Sequence, residues 1–169
     1  NTGFRVSTLG WNEKNPLTGS HKTGGGLTDR GREYVKEAQR LGMVVDVSHI
    51  SDQGFWDIMD ITAAPVIATH SNCRWLCGNS RNLTMDMVKA IIEKKGFIGI
   101  NFYADFLAKD RPATLDDVLR NIDEICSMGG EDIVGFGSDF DGIESWPEGL
   151  GNPADFPALI ELLRNHGYT

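Results

Sequence analysis

The sequence predicts an α/β domain built on a parallel sheet, and three observations carry that reading. Five short apolar runs alternate with five segments whose apolar residues recur at helical spacing. The runs are nearly continuous, as in strands covered on both faces, rather than alternating. Ser51, Thr84 and Thr114 stand just ahead of helical segments, where a side-chain oxygen caps free N–H groups. Five units suit either a doubly wound open sheet or part of an eight-unit barrel, and periodicity does not separate the two.

The elements follow in order. Phe4 to Leu9 reads as the first strand, and Gly10 to Gly26 as a polar, Gly-rich loop, with Gly24-Gly25-Gly26 a flexible connection. A helix starts near Thr28, turns Tyr34, Val35, Ala38 and Leu41 inward, and ends at Gly42, where a left-handed residue is favoured. Met43 to Val47 is the second strand, and Ser51 caps a helix over about Asp52 to Ile61. Pro65 to Thr69 is the third strand, followed by a loop or short helix from Ser71 to Asn82. Thr84 caps a helix carrying Met87, Val88, Ile91 and Ile92 on one stripe and closed by Gly96. Phe97 to Phe102 is the fourth strand. Thr114 and Asp117 have capping-box spacing ahead of Leu115, Val118, Leu119, Ile122 and Ile125. Ile133 to Gly137 is the fifth strand, and Ala154 to Asn165 the last helix. Residues 1–169 read as a single, partial domain.

Composition narrows the function classes. The 169 residues carry 16 Lys+Arg against 24 Asp+Glu, a net charge of −8, which disfavours a nucleic-acid partner. Hydrophobic residues at 40% and charged residues at 24% are globular values. No apolar run is long enough to span a membrane, and no segment reads as a signal peptide. Cys73, Cys77 and Cys126 make an odd set, so reduced thiols and a cytoplasmic location are expected. Asn1-Thr2 runs straight into the first strand without an initiator methionine, so a piece of a longer protein is expected.

Polar residues collect where the strands end. The second strand leads into His49, the third into His70, the fourth into Asn101 and Tyr103, and the fifth into Asp139 and Asp141. In parallel α/β folds that rim carries the active site. His49 and His70 are one strand–helix unit apart, which sets them at equal height on neighbouring strands. Two neutral imidazoles so placed suit zinc or a similar metal; two histidines capping adjacent loops is the other reading. Asp139 and Asp141 in Asp-Phe-Asp-Gly read as a metal or general-base carboxylate, or as a turn before Gly142. A haloacid-dehalogenase-type nucleophile fails on position, since that motif opens its fold. Arg81 lies in the loop beyond His70, either as a clamp for a substrate carboxylate or as a solvated charge. Trp56, Trp75 and Trp146 read as core or pocket wall. No dinucleotide fingerprint, phosphate loop or nucleophile elbow is present.

Six motifs taken together resemble the membrane (renal) dipeptidase family of zinc metallopeptidases. They are Gly3-Phe4-Arg5 with Thr8-Leu9, Val45 to His49, Ala64 to Ser71, Ser80 to Leu83, Ile100 to Tyr103, and Gly137 to Gly142. Pro147-Glu148-Gly149-Leu150 is similar to the family too. The resemblance spans the chain in order, and it is to the C-terminal portion of a bacterial-type member.

The resemblance implies a (β/α)8 TIM barrel, of which this chain covers about the last five strand–helix units. It implies two zinc ions, other divalent metals being alternatives, and hydrolysis of dipeptides through a metal-activated bridging water. His49 and His70 become ligands of one metal. Asp139 becomes the catalytic carboxylate, and Arg81 the reader of the substrate carboxylate. Tyr103, Asn101 and Trp11 join the substrate-binding residues. A short peptide is the implied partner, and a homodimer the implied assembly of the complete protein. The family's His-x-Asp and bridging Glu belong to earlier strands and are absent here. Thr8-Leu9-Gly10-Trp11-Asn12 puts Trp-Asn where mammalian members carry a His. Two rival readings follow: another amidohydrolase-like barrel metallohydrolase, and an inactive fragment lacking the N-terminal ligands.

Overall fold

The computed structural model describes residues 3–169; Asn1 and Thr2, read above as the start of a longer chain's segment, lie outside the described residues. The elements in chain order are β1 (Val6–Thr8), β2 (Thr18–Ser20), β3 (Gly24–Leu27), α1 (Asp29–Arg40), β4 (Val44–Asp46), α2 (Asp52–Ile61), β5 (Val66–Ala68), α3 (Met85–Glu93), β6 (Phe97–Ile100), α4 (Ala104–Leu107), α5 (Leu115–Ser127), β7 (Val134–Phe136) and α6 (Phe156–Asn165). Five of the strands form one sheet in the order β1-β4-β5-β6-β7, every pair parallel. The order follows the chain, with each new strand added to the same edge, as along the wall of a barrel.

The helix starts follow their sequences. Thr28, Ser51 and Thr84 each accept a hydrogen bond from the N–H three residues on. At α5 the bond runs the other way: the Thr114 amide donates to Asp117 Oδ2 at 3.0 Å, and its hydroxyl donates there too. Arg111 completes Asp117's partners, which is why a carboxylate only 3% exposed is tolerated. Gly42 takes the left-handed conformation after α1, with φ 74°. After α3 that conformation falls on Lys95, with φ 52°, rather than on Gly96. A side chain on Gly96 would meet the Val66 carbonyl.

Val45, Val66, Ile98 and Ile100 of the sheet are fully buried against Val35, Ile58, Ile91 and Ile125 of the helices. Each such side chain contributes about 1.5–3 kcal/mol by leaving water. Tyr34 and Leu41, expected inward, are 38% and 60% exposed. Tyr34 lies over β1, its hydroxyl 2.7 Å from Ser7 Oγ.

The expected Gly-rich loop contains an antiparallel hairpin, β2 with β3. Ser20 and Thr23 bond to each other across its turn, and contacts with the neighbouring helices fix it in place. The Leu27 amide donates to Asp57 at 2.7 Å, Arg32 pairs with the same carboxylate, and Ser51 Oγ donates to the Gly25 carbonyl. A side chain at Gly26 would collide with Asp57.

Two glycines fix the sheet where the polar rim begins. A Cβ on Gly99 or on Gly137 would run into the Thr69 carbonyl, so β6 and β7 close onto the end of β5 only because both positions lack one.

Candidate functional site

The strand ends deliver their polar side chains to one cleft, of about 630 Å³, within the range of small-ligand sites. Trp11, His49, Arg81, Tyr103 and Asp139 line it, together with Asn12, His21 and Glu144. His70 and Asn101 stand directly behind this lining. His70 touches His49, and Asn101 donates from Nδ2 to Asp139 Oδ2 at 3.1 Å. Trp56, Trp75 and Trp146 lie outside the lining; Trp75 instead donates to Glu124.

His49 and Asp139 share a backbone feature. Both are non-glycine residues in the left-handed region, with φ 69° and 60°. Such positions are uncommon and gather at functional sites. At the end of β4 the turn sets the His49 ring 4.9 Å from that of His70. At the end of β7 the Gly142 amide closes a turn onto the Asp139 carbonyl at 2.9 Å. A side chain at Gly142 would strike Asp139 Oδ1.

The two imidazoles meet as their spacing predicts, with Nε2 of His49 2.8 Å from Nε2 of His70. The other nitrogen of each ring decides what this contact means. His49 Nδ1 lies 3.0 Å from Asn12 Oδ1, an acceptor, so it carries the proton. His70 Nδ1 lies 2.7 Å from Thr69 Oγ1, whose own hydrogen goes to Asp46 Oδ2 at 2.7 Å. His70 Nδ1 therefore also donates. Both rings present bare Nε2 lone pairs to each other, and lone pairs at that distance repel unless a cation joins them. A proton does not serve at neutral pH. Burial, then the nearby Arg81 cation, lowers His49 from 6.5 to about 3, and the same causes lower His70. A divalent metal ligated through both Nε2 atoms fits this donor set. Among the described residues no group of three His, Cys, Asp or Glu converges, so this chain supplies a pair of ligands and not a complete shell.

Asp46 and Thr69, which sequence reasoning left out of the site, thus stand immediately behind it. Asn12 and His21 were also missed. Asn12 Oδ1 is shared by His49 and by His21 Nε2 at 3.1 Å, while His21 Nδ1 meets Ser80 Oγ at 3.0 Å. Burial, then Arg81, lowers His21 to about 4, so it too is neutral at pH 7. His21 lies between β2 and β3, and only the hairpin, which the sequence does not signal, brings it to the rim.

Arg81 is 5% exposed although it sits on a 16-residue connection between β5 and α3. Arg74 pins that connection: it grips Asp52 with both terminal nitrogens, at 2.6 and 2.7 Å, and donates to the Asn82 carbonyl. Asn82 reaches the carbonyls of Cys77 and Phe106. The Arg81 guanidinium lies 5.5 Å over the Phe106 ring and donates once, to the His70 carbonyl. Burial lowers it to about 10, opposed by Asp139 and Asp46, so it remains a cation at neutral pH. Among the described residues its guanidinium makes no other hydrogen bond, and it lines the cleft, which suits an incoming carboxylate. The Tyr103 ring stacks edge-on against Phe106 at 4.8 Å. Asn101 is fully buried, its Oδ1 accepting from the Tyr103 amide at 2.6 Å, so it meets the cleft only through Asp139 and Tyr103.

Comparison with known proteins places this architecture. The family profile described as membrane dipeptidase (peptidase family M19) matches residues 1–169. An uncharacterized protein encoded in the pqqA 5′ region of Klebsiella pneumoniae is 42% identical over 154 residues, 89% of this chain and 56% of its own length. An uncharacterized dipeptidase of Schizosaccharomyces pombe is 41% identical over 167 residues, 94% of this chain and 40% of its own. The chain thus spans about half the length of these curated relatives. A solved metallopeptidase from Rhodobacter sphaeroides, liganded with a phosphinate mimic of the dipeptide L-Ala-D-Ala, is 36% identical, with a TM-score of 0.90 over 98% of this chain and 50% of that one.

Proposed function

Since the chain belongs to the membrane dipeptidase family, peptidase family M19, we propose that the whole protein is a metal-dependent dipeptidase. One observation of this chain carries the reading. Two neutral imidazoles, each with Nδ1–H already committed, turn their Nε2 lone pairs on the same point.

In this reading His49 and His70 hold one zinc ion of a pair, the remaining ligands coming from outside this chain. Metal held there would supply a water of lowered pKa and a Lewis acid for the scissile carbonyl. Asp139, oriented by Asn101, accepts the water's proton and returns it to the leaving amine. Arg81 binds the C-terminal carboxylate and so limits substrates to short peptides. Trp11 and Tyr103 wall the substrate, and Asn101 serves the site through Asp139. The three unpaired thiols suit a reducing, cytoplasmic compartment, and we carry a homodimer as part of the proposal. No helix among the described residues is long and apolar enough to cross a membrane.

The test uses the whole protein, stripped with chelator and reloaded with zinc. L-Ala-D-Ala, whose phosphinate mimic is bound by the Rhodobacter relative, is the first substrate to try. Two zinc ions per chain, dipeptide hydrolysis and no tripeptide hydrolysis are expected. Hydrolysis of lactams or phosphoesters without dipeptides would move the assignment to another amidohydrolase-like activity.

A further inference from the structure

We propose that Asp46, acting through the Thr69 hydroxyl, is a positioning residue that decides which nitrogen of His70 carries the proton and so keeps Nε2 bare for a metal. The inference rests on the reading of His49 and His70 as a metal pair.

Asp46 ends β4 and is 2% exposed. Its carboxylate is filled by four donors in two fixed pairs. Oδ1 accepts from the main-chain amides of Ser48 and Thr69, both at 3.0 Å. Oδ2 accepts from the hydroxyls of Thr8, at 2.8 Å, and Thr69, at 2.7 Å. A carboxylate only accepts, so the single proton of Thr69 must point at Asp46. The Thr69 oxygen is then left as an acceptor, for His70 Nδ1 at 2.7 Å and for the Ser48 hydroxyl at 3.3 Å. The direction of every bond in the chain from Asp46 to His70 follows from one charge. The ring's Nδ1 is protonated, and its Nε2, 2.8 Å from His49, is not.

This differs from a buried acid that merely ties strands together. An Asn at position 46 keeps the size and shape, but its NH2 group cannot face two main-chain N–H donors. It must take the Oδ2 position and donate to Thr69. The Thr69 hydroxyl then turns to the nearer of its two other partners, His70 Nδ1 at 2.7 Å rather than Ser48 Oγ at 3.3 Å, and the proton of the neutral ring moves to Nε2. The same side chain sits in the same place as the wrong tautomer for ligation.

The experiment uses the full-length, metal-free protein with 15N-labelled histidine. Two-bond 1H–15N spectra report the tautomer, and calorimetry reports zinc affinity, for wild type, Asp46→Asn, Thr69→Val, Thr69→Ser and His70→Ala. His70 is expected as the Nδ1–H form in wild type and as the Nε2–H form in Asp46→Asn. Zinc affinity should fall about 10- to 100-fold in Asp46→Asn and in Thr69→Val, the size typical of partners that orient ligands. Thr69→Ser, which keeps the hydroxyl, should restore wild-type affinity. A folded Asp46→Asn protein with the wild-type tautomer and affinity overturns the proposal. Should Asp46→Asn fail to fold, wild-type affinity in Thr69→Val overturns it. If His70→Ala binds zinc as wild type does, the metal-pair reading itself falls. If His70→Ala loses zinc while Thr69→Val keeps it, only the relay falls.

Discussion

Arg81 Nη2 donates to the main-chain carbonyl of His70 at 3.3 Å. The proposed reader of substrate is thus fastened to the backbone of a proposed metal ligand, and not to its ring. The His70 ring is held separately, from Thr69. The two functions are adjacent but mechanically separable, and the first prediction uses that.

Arg81→Ala in the whole protein should raise KM for a dipeptide roughly ten- to a hundredfold, as loss of a charged hydrogen bond of about 1.5–3 kcal/mol requires. The same dipeptide with an amidated C-terminus should be affected far less, and metal content should not change. Arg81→Lys should recover only part of the loss, because a point charge cannot form the planar fork. Equal losses on both substrates in steady-state kinetics would remove Arg81 from carboxylate recognition.

Asp139→Asn should lower kcat by about 10²–10⁴, the usual worth of a positioned acid–base group, with KM little altered. Asn suits the left-handed backbone at this position, where φ is 60°, so stability should hold. A thermal melt alongside the kinetics checks both halves of the expectation.

The histidines predict an acid-side loss of stability in the metal-free protein. His49 has a folded pKa near 3 against an ordinary 6.5, and His70 and His21 are lowered as well. As pH falls below 6.5 the unfolded chain takes up protons that the folded chain refuses. Stability is therefore full above about 6.5 and falls progressively toward pH 3–4. Urea midpoints at pH 7, 6 and 5 should show a shallower decline in His49→Asn, and also in Arg81→Ala, which removes the cation facing these rings. Parallel curves for all three proteins would contradict the prediction.

Gly137→Ala should destabilise the fold by about 1–3 kcal/mol, the cost of forcing an added carbon into a packed site, because its Cβ meets the Thr69 carbonyl. Gly78→Ala, with open space around it, is the matched control and should stay within about 0.5 kcal/mol. Denaturant titration of both variants compares them directly.

The parts of this fold that local chemistry determines are the parts legible in the sequence. Thr28, Ser51 and Thr84 bond to amides three residues away, and the apolar runs at Val44–Asp46 and Phe97–Ile100 need no distant partner to be recognised. Position at a strand end also anticipates that His49, His70 and Asp139 gather at one cleft. The hairpin of β2 and β3 was not legible, because Asp57 and Ser51 of another element hold it and its own glycines signal only freedom. Tyr34 fits the helical stripe but leaves it to meet Ser7, a contact across 27 residues. The place of Asp46 is not legible for a similar reason. Its spacing of three from His49 points away from that ring, and its link is to His70, one strand over and through a hydroxyl.

The left-handed backbone at His49 and Asp139 bears on how this protein can be engineered. A non-glycine residue in that conformation costs about 1–2 kcal/mol, and glycine or asparagine relieves some of it. A library screened for heat resistance alone would therefore drift toward Gly or Asn at positions 49 and 139, discarding the imidazole and the carboxylate on which the proposed chemistry depends. Robustness and turnover pull in opposite directions at these two positions, so a selection that improves the protein has to score both in the same round.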